Sequence, residues 1–382
     1  MTASRSRIAF LFCFVFTLLA LSTPALRAEI PWEWTDIERV VVVGDLHGDY
    51  ENFVKILRGT QLVDRDLHWA AGRVHLVQMG DILDRGREAR KIFDLLIQMQ
   101  REAEAAGGMV HVLLGNHEEM NITGIVFSGN HGYVTVMQFI SFLPDGFRKQ
   151  QEDILRKRIA KRRPDERGLS AQKIIDRFWT SLRDTPSAQR QYVLNLNDKY
   201  GDWLRGLNVA IKINDIVFVH GGINEKYSKW GLAEINDRYR LELADYWRAF
   251  RWREKPRIGR PLILYVRDSP LWYRELATVP EEDIREELDQ TLDNLGAKTM
   301  IIAHTPQLVK TPEEMQRFGG KVWIVDTGIS SVYGGNAVAL IIQNGYFNVW
   351  GLYDEDKNES RLSRSSSFAF RSGFVHPVSN SR

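Results

Sequence analysis

The 382-residue sequence contains one cysteine, Cys13. It lies inside an apolar run near the start of the chain, so the remainder can form no disulfide and offers no thiolate as nucleophile or metal ligand. An excess of charge of one sign is also missing: 51 Lys and Arg stand against 49 Asp and Glu, a formal net charge of +2. No whole-molecule field therefore draws in a nucleic-acid polymer or an anionic membrane, and an anionic ligand has to be attracted locally. Long hydrophobic runs are lacking as well. The apolar stretch over residues 8–21 falls short of the roughly 18 to 20 residues that a bilayer span takes. No internal repeat is visible.

That stretch reads instead as the core of a secretory signal peptide over residues 1–28. Arg5 and Arg7 precede it, and small residues lead on to Ala25 and Ala28, with cleavage expected after one or other alanine. Ser6 separates the arginines, so no twin-arginine signal is present, and Phe14 after Cys13 argues against a lipoprotein site. The expected destination is a periplasm or beyond, with no stable membrane span after processing. The sequence as a whole has 44% hydrophobic and 26% charged residues, a globular balance that excludes a wholly disordered chain.

Val40-Val41-Val42-Val43 is too apolar for a half-exposed strand and suits one buried on both faces. It runs into Gly44-Asp45-Leu46-His47-Gly48, with two metal-ligand side chains on the turn beyond a strand's C-terminal end, where open α/β sheets place their sites. The arrangement recurs. A strand at 74–79 leads into Gly80-Asp81-Ile82-Leu83-Asp84-Arg85-Gly86, and one at 109–114 into Gly115-Asn116-His117-Glu118. Helical spacing lies between, at 49–59 with Phe53, Ile56 and Leu57 on one face and at about 88–106. Three β-α units in succession indicate a parallel, layered α/β sheet.

Residues 128–205 differ, being polar and mostly helical in pattern, and form an insertion or cap. Their basic run, 148–167, is interleaved with acids and is read as a solvated helix face in preference to a patch for an acidic partner. The sheet resumes at 209–213, turns at Asn214-Asp215 and returns at 216–219 into His220-Gly221-Gly222. Further strands lead into His304-Thr305-Pro306 and Asp326-Thr327-Gly328, and a hairpin closes the domain, which is taken as 29–359. Residues 360–382, rich in Ser and Arg, are expected to be a disordered tail.

Asp45, His47, Asp81, Asn116, His220 and His304 all stand at strand ends. They offer only oxygen and nitrogen donors, which suits Mn²⁺, Fe or Zn²⁺. Six ligands exceed the needs of one catalytic ion and fit two, about 3.5–4 Å apart and sharing a carboxylate, as in-line displacement at phosphorus uses.

These ordered blocks resemble the calcineurin-like metallophosphoesterase superfamily. Asp84-Arg85-Gly86 and Glu118 resemble its phosphoprotein phosphatase branch, and Gly221-Gly222 with Asp326-Thr327-Gly328 is most similar to the bacterial Shewanella-like protein phosphatases. The resemblance spans residues 40 to about 342. It implies a layered β-sandwich flanked by helices, and two divalent ions, manganese first, with iron or zinc as alternatives. It also implies hydrolysis of phosphorylated protein by attack of a metal-bound water. By position, Asp45, His47 and His304 would hold the first ion, Asn116 and His220 the second, and Asp81 both. The implied catalytic set is His117 as general acid, Asp84 orienting it, and Arg85 clamping phosphoryl oxygens. Arg274 is the candidate second clamp, with Arg267 as its alternative, and Tyr333 is expected to approach the substrate. Residues 128–133 depart from the relatives' pattern, which leaves local substrate contacts open.

Phosphotyrosine is mildly preferred over phosphoserine or phosphothreonine. A nucleotide or small-molecule phosphoesterase, such as a dinucleoside polyphosphate hydrolase, is the alternative. A non-catalytic metal-binding or adaptor protein ranks below both, because Asp81, His117 and Arg85 are all present. His75 and His111 are assigned to strand packing, His131 to a loop of open role, and Trp32 and Trp34 to packing against the first sheet. Trp272 and Tyr273 read equally well as core or as a substrate platform.

Overall fold

The valine run lies at the centre of one of two six-stranded sheets. The computed structural model describes residues 30–128, 133–161, 170–351 and 370–371. The expected signal peptide, His131, part of the basic run and most of the tail lie outside the described residues. Trp32–Arg382 form one unit, apart from Met1–Pro31, and all the strands and helices belong to it.

In chain order come β1 (Glu33–Trp34), β2 (Arg39–Val43), α1 (Tyr50–Gly59), β3 (His75–Gln78), α2 (Ala89–Ala105), β4 (Met109–Val112) and α3 (Asn116–Thr123). The segment expected to be an insertion supplies α4 (Val136–Ser141), α5 (Phe147–Ala160), α6 (Ala171–Arg183) and α7 (Pro186–Gly206). Next are β5 (Ala210–Ile213), β6 (Ile216–Val219), α8 (Glu225–Ser228), α9 (Gly231–Trp252), α10 (Glu275–Thr278) and α11 (Glu281–Leu295). The chain then adds β7 (Thr299–Ile302), β8 (Gln316–Arg317), β9 (Val322–Ile324), β10 (Ala339–Gln343), β11 (Tyr346–Trp350) and β12 (Phe370–Arg371).

One sheet has the order β12-β11-β10-β2-β3-β4 and the other β1-β5-β6-β7-β9-β8. The expected βα units appear as the parallel set β2, β3, β4, with Val40 opposite His75 and Val77 opposite His111. A second parallel set, β6, β7, β9, lies in the other sheet. Antiparallel strands complete both sheets, so each is mixed where the βα units alone indicate a parallel one. The turn at Asn214-Asp215 forms as its sequence predicts, with Ile213 opposite Ile216 and Asn214 at φ 55°.

Strand alternation divides the apolar residues between two cores. Val40, Val42, Val77, Ile211, Phe218 and Ile301 meet between the sheets, whereas Val41, Val43, Leu76, Val217 and Met300 face the helices. All four valines of β2 are therefore buried, Val40 being 2% exposed and the others 0%. Each such side chain stabilises the fold by about 1.5 kcal/mol or more. The face of α1 that meets this core is the predicted one, Phe53, Ile56 and Leu57, and the Asp49 carboxylate caps the helix by accepting from Asn52 N at 3.0 Å.

The inserted helices divide by burial. On α5 no residue is buried, which matches a solvated basic face, with Arg148 and Arg156 both paired to Glu152. In α7, by contrast, Tyr192, Val193, Leu196, Tyr200 and Leu204 are buried. Among the described residues no helix is long and apolar enough to cross a membrane.

The Trp34 ring packs against the first sheet as expected, on His111 of β4, although both tryptophans pair through the main chain with the other sheet. They flank a strand of the other sheet, because Lys212 N donates to Trp32 O and Asn214 N to Trp34 O, each at 2.8 Å. Trp34 packs into the inter-sheet core, its ring centroid 4.2 Å from that of His111.

His111 Nε2 and His75 Nδ1 lie 3.0 Å apart, one donating and the other accepting, so the two rings cannot both be protonated without losing the bond. Burial pushes His75 down to about 4 and His111, with His75 beside it, to about 3. Folded-state values below the unfolded value of about 6.5 mean that stability is fully present above that pH and is lost as pH falls through it toward the folded values. His111→Phe should therefore flatten the decline of the urea midpoint between about pH 7 and about pH 5. An unchanged slope would place the acid sensitivity elsewhere.

Candidate metal centre

Strand ends from both sheets converge on one point. Leu46 N and His47 N donate to Asp81 O at 3.0 and 2.8 Å, and Gly48 N donates to Ile82 O at 2.8 Å, locking the loop after β2 to the loop after β3. Glu118, at the start of α3, locks that second loop to the third. Its Oε1 accepts from Ile82 N and Leu83 N, each at 2.9 Å, and its Oε2 from Asp81 N at 2.8 Å and Gly115 N at 3.0 Å. Gly115 is required there, since a Cβ would stand 2.1 Å from Asp81 Oδ1. His47, Asp81, Asp84, Arg85 and His304 all have positive φ, between 42° and 72°. Such strain in non-glycine residues costs of order 1–3 kcal/mol each and persists only where the surroundings impose it.

Asp81 is central and buried. Its Oδ2 lies 3.8 Å from both His47 Nε2 and His117 Nε2, and its Oδ1 lies 3.4 Å from His220 Nε2. The tautomers follow from the outer partners. His47 Nδ1 is 2.9 Å from Leu83 O and His220 Nδ1 is 2.9 Å from Met79 O. A carbonyl only accepts, so each Nδ1 carries the proton and each Nε2 turns a lone pair toward Asp81. Asn116 Oδ1 and His304 Nδ1 are both 3.1 Å from His220 Nε2, and His304 Nε2 is buried without a partner.

Two donor groups thus share one carboxylate: His47, Asp81 and His117, and Asp81, His220 and His304, with ligand atoms within 4.8 Å of one another. Asp45 and Asp326 adjoin them, and Asp326 Oδ2 has no hydrogen-bond partner. Burial raises both carboxyls, Asp45 further through its neighbours Asp326 and Asp81, and Asp326 is pushed to about 6. Burial, then His117, pushes His47 down to about 3, and His304 is held well below the usual range by burial and then His220. Buried carboxylates, unprotonated ring nitrogens and an amide oxygen aimed at one another repel unless cations lie among them. The donor set fits two divalent cations with Asp81 between them.

Beside this cluster, His117 Nδ1 and Asp84 Oδ2 are 2.6 Å apart. Although burial lowers it, His117 is held above the ordinary histidine value by Asp81 and then by Asp84. The Arg85 guanidinium lies over two rings, 5.0 Å from that of Tyr133 and 5.1 Å from that of Tyr333. Residues 38–308 match the model of the family described as calcineurin-like phosphoesterase. The chain belongs to that family.

Among members with curated names, this calcineurin-like phosphoesterase is 31% identical to Shewanella-like protein phosphatase 2 of Arabidopsis thaliana, over 71% of this chain and 66% of the relative. It is 27% identical to Shewanella-like protein phosphatase 1 of Plasmodium berghei, over 76% and 67%. The chain therefore spans about two thirds of the length of these relatives. A cold-active protein-tyrosine phosphatase of a psychrophilic Shewanella species superimposes with a TM-score of 0.54 at 26% identity, over 84% of this chain and 79% of that one. A mutant cold-active protein tyrosine phosphatase gives a TM-score of 0.59 with the same identity and coverage.

Every residue expected in the centre is brought to it, with one regrouping. His304, placed by resemblance with Asp45 and His47, stands instead beside His220 and Asn116. The reason is strand order: β7 is the neighbour of β6, and Ala303 N donates to His220 O at 2.7 Å. Arg274 reaches the centre, its Nη1 donating to His304 O at 2.7 Å and Thr305 Oγ1 at 3.1 Å, whereas Arg267 is exposed. Trp272 lies close by, ring centroid 6.1 Å from His304, with Nε1 donating to Glu119 Oε2 at 3.2 Å, whereas Tyr273 is buried in the core. Sequence reasoning missed Tyr133, Asp326 and the buried Glu119, which burial raises to about 8 and which also accepts from Tyr265 N and Tyr239 OH. The aromatic-rich segment after Asn224 and the Asp-Thr-Gly ending were the available signals.

Asp81→Asn should reduce bound divalent metal and turnover together, read by elemental analysis of the purified protein alongside phosphatase assay; full metal content with full activity would remove Asp81 from the shared position. Glu118→Gln leaves two buried N–H donors facing an amide NH₂, at about 1–3 kcal/mol each. Urea denaturation should show a loss of about 2–6 kcal/mol, and wild-type stability would contradict the bracing role.

Proposed function

We propose that this phosphatase removes phosphoryl groups from phosphorylated protein side chains, using two divalent ions held by Asp45, His47, Asp81, Asn116, His220 and His304. Asp45 and His47 would hold one ion, Asn116, His220 and His304 the other, and Asp81 would contribute to both. The observation that carries the reading is the His117–Asp84 couple at 2.6 Å, whose free Nε2 faces the shared carboxylate, with Arg85 close at hand.

When bound, the ions supply positive charge for the phosphoryl oxygens and lower the pKa of a nucleophilic water. The protein supplies the rest. Arg85 presents a planar fork to phosphoryl oxygens, and its guanidinium lies over the rings of Tyr133 and Tyr333. Arg274, fixed on the His304 loop, is the second cation at the rim. As the ester P–O bond breaks, His117 gives its Nε2 proton to the departing oxygen, and Asp84 keeps the resulting ring oriented. The products are a free hydroxyl side chain and inorganic phosphate.

Phosphotyrosine is our preferred substrate, supported by the aromatic rings near Arg85 and by the tyrosine-phosphatase name of the cold-active structures. Manganese is the preferred metal, on the all-oxygen-and-nitrogen donor set. Export rests on the pattern of Arg5, Arg7, the apolar run and Ala25 or Ala28.

Phosphate release should be measured with Mn²⁺-loaded protein on matched phosphotyrosine and phosphothreonine peptides, beside a dinucleoside polyphosphate. We expect the phosphotyrosine peptide to be cleaved fastest. Release from the nucleotide alone would transfer the same centre to small phosphoesters.

A further inference from the structure

The inserted helices reach the acid couple through a closed ring of buried hydrogen bonds. Gln138 on α4 accepts from Asp84 N through Oε1 at 2.6 Å. Its Nε2 donates to Asp84 Oδ1 at 3.0 Å and to Tyr192 OH, on α7, at 2.7 Å. Tyr192 OH in turn donates to Asn121 Oδ1 at 2.8 Å, and Asn121 Nδ2 donates to Asp84 Oδ2 at 2.9 Å and His117 O at 2.8 Å. Asp84, Asn121, Gln138 and Tyr192 are each buried, at 0% exposure.

Donor and acceptor counting leaves one consistent assignment. Both protons of the Gln138 amide and both of the Asn121 amide are used, and the single Tyr192 hydroxyl proton goes to Asn121. Asp84 is then an acceptor on both oxygens, and a remaining lone pair of Oδ2 faces the proton on His117 Nδ1. The ring thereby fixes Asp84 as an acceptor, Nδ1–H as the tautomer of His117, and Nε2 as the atom turned to the centre.

We infer that Gln138 and Tyr192, both carried by the insertion, are positioning residues for the His117–Asp84 couple, so that the insertion forms part of the proton-donating apparatus. This rests on the reading of His117 as general acid. Outer partners that orient a functional side chain through hydrogen bonds typically matter about 10–100-fold when lost. The loss should fall on substrates whose leaving oxygen needs a proton.

The test compares kcat/KM for phenyl phosphate, a poor leaving group, with that for p-nitrophenyl phosphate, a good one, in metal-loaded protein with metal content measured in each variant. Gln138→Leu should lose about 10–100-fold on phenyl phosphate and much less on p-nitrophenyl phosphate, with metal content unchanged. Tyr192→Phe, a smaller change that keeps the ring's packing, should shift the ratio in the same direction. Tyr200→Phe removes a hydroxyl from the same helix, one that donates to Asp94 at 2.5 Å outside the ring, and should leave the ratio at its wild-type value. His117→Asn sets the full split. If His117→Asn splits the two substrates while Gln138→Leu and Tyr192→Phe lower both equally, the positioning role is overturned and the general acid stands. If His117→Asn shows no split, both fall.

Discussion

Within one buried carboxylate, Glu118 gathers the N–H groups of Asp81, Ile82, Leu83 and Gly115, and the geometry of the centre depends on that gathering. Loops at strand ends do not have regular partners for their main-chain donors, and a buried donor left alone costs about 1–3 kcal/mol. Glu118 satisfies four of them at once and fixes the spacing between the loop that carries Asp81 and the one that carries Asn116 and His117. The left-handed conformation of Asp81 is held by the same contacts, and those of Asp84 and Arg85 by bonds from their N–H groups to Gln138 Oε1 and Tyr133 O. Strain of this kind is tolerated where the surrounding bonds over-determine the backbone, and here it aims three functional side chains into one volume.

The second constraint is charge. Asp45, Asp81, Asp84, Glu118 and Asp326 are all buried within a few residues' span of the strand ends, and His47, His117, His220 and His304 accompany them. Backbone carbonyls take the Nδ1 protons of His47 and His220 and so decide which nitrogen faces inward. An array of inward lone pairs and carboxylates is unfavourable by itself and favourable around cations. The helix-facing and inter-sheet cores hold the strands that carry it, which is how a fold with ample apolar burial sustains a repulsive centre.

How much of this was legible depends on the range of each interaction. The strand-then-ligand blocks were readable because strand, turn and ligand are contiguous, and Asp84 and His117 because they extend those blocks. His304 was identified but misgrouped, since chain order does not reveal that β7 lies beside β6. Tyr133, Gln138 and Tyr192 were invisible for a different reason. They sit in or beside amphipathic helices, where a polar side chain turned inward has the same spacing as one turned to water. Only the packing of α4 and α7 distinguishes the two. Asp326 showed as an ending and not as a neighbour of Asp45, because the contact joins opposite sheets.

That difference in legibility separates two layers of the centre. Cation-binding side chains come from strand ends and need the sheets alone. The acid couple needs more: Asp84 must remain an acceptor in a buried place, and His117 must keep its proton on Nδ1. A carboxylate removed from water requires hydrogen-bond donors, and those that reach Asp84 come from helices. Gln138 on α4 and Asn121 on α3 supply them, and Tyr192 on α7 links the two amides, accepting from Gln138 and donating to Asn121. On the proposed reading, binding metal and delivering a proton fall to different parts of the fold that meet at Asp81, whose carboxylate stands within 3.8 Å of both His47 and His117.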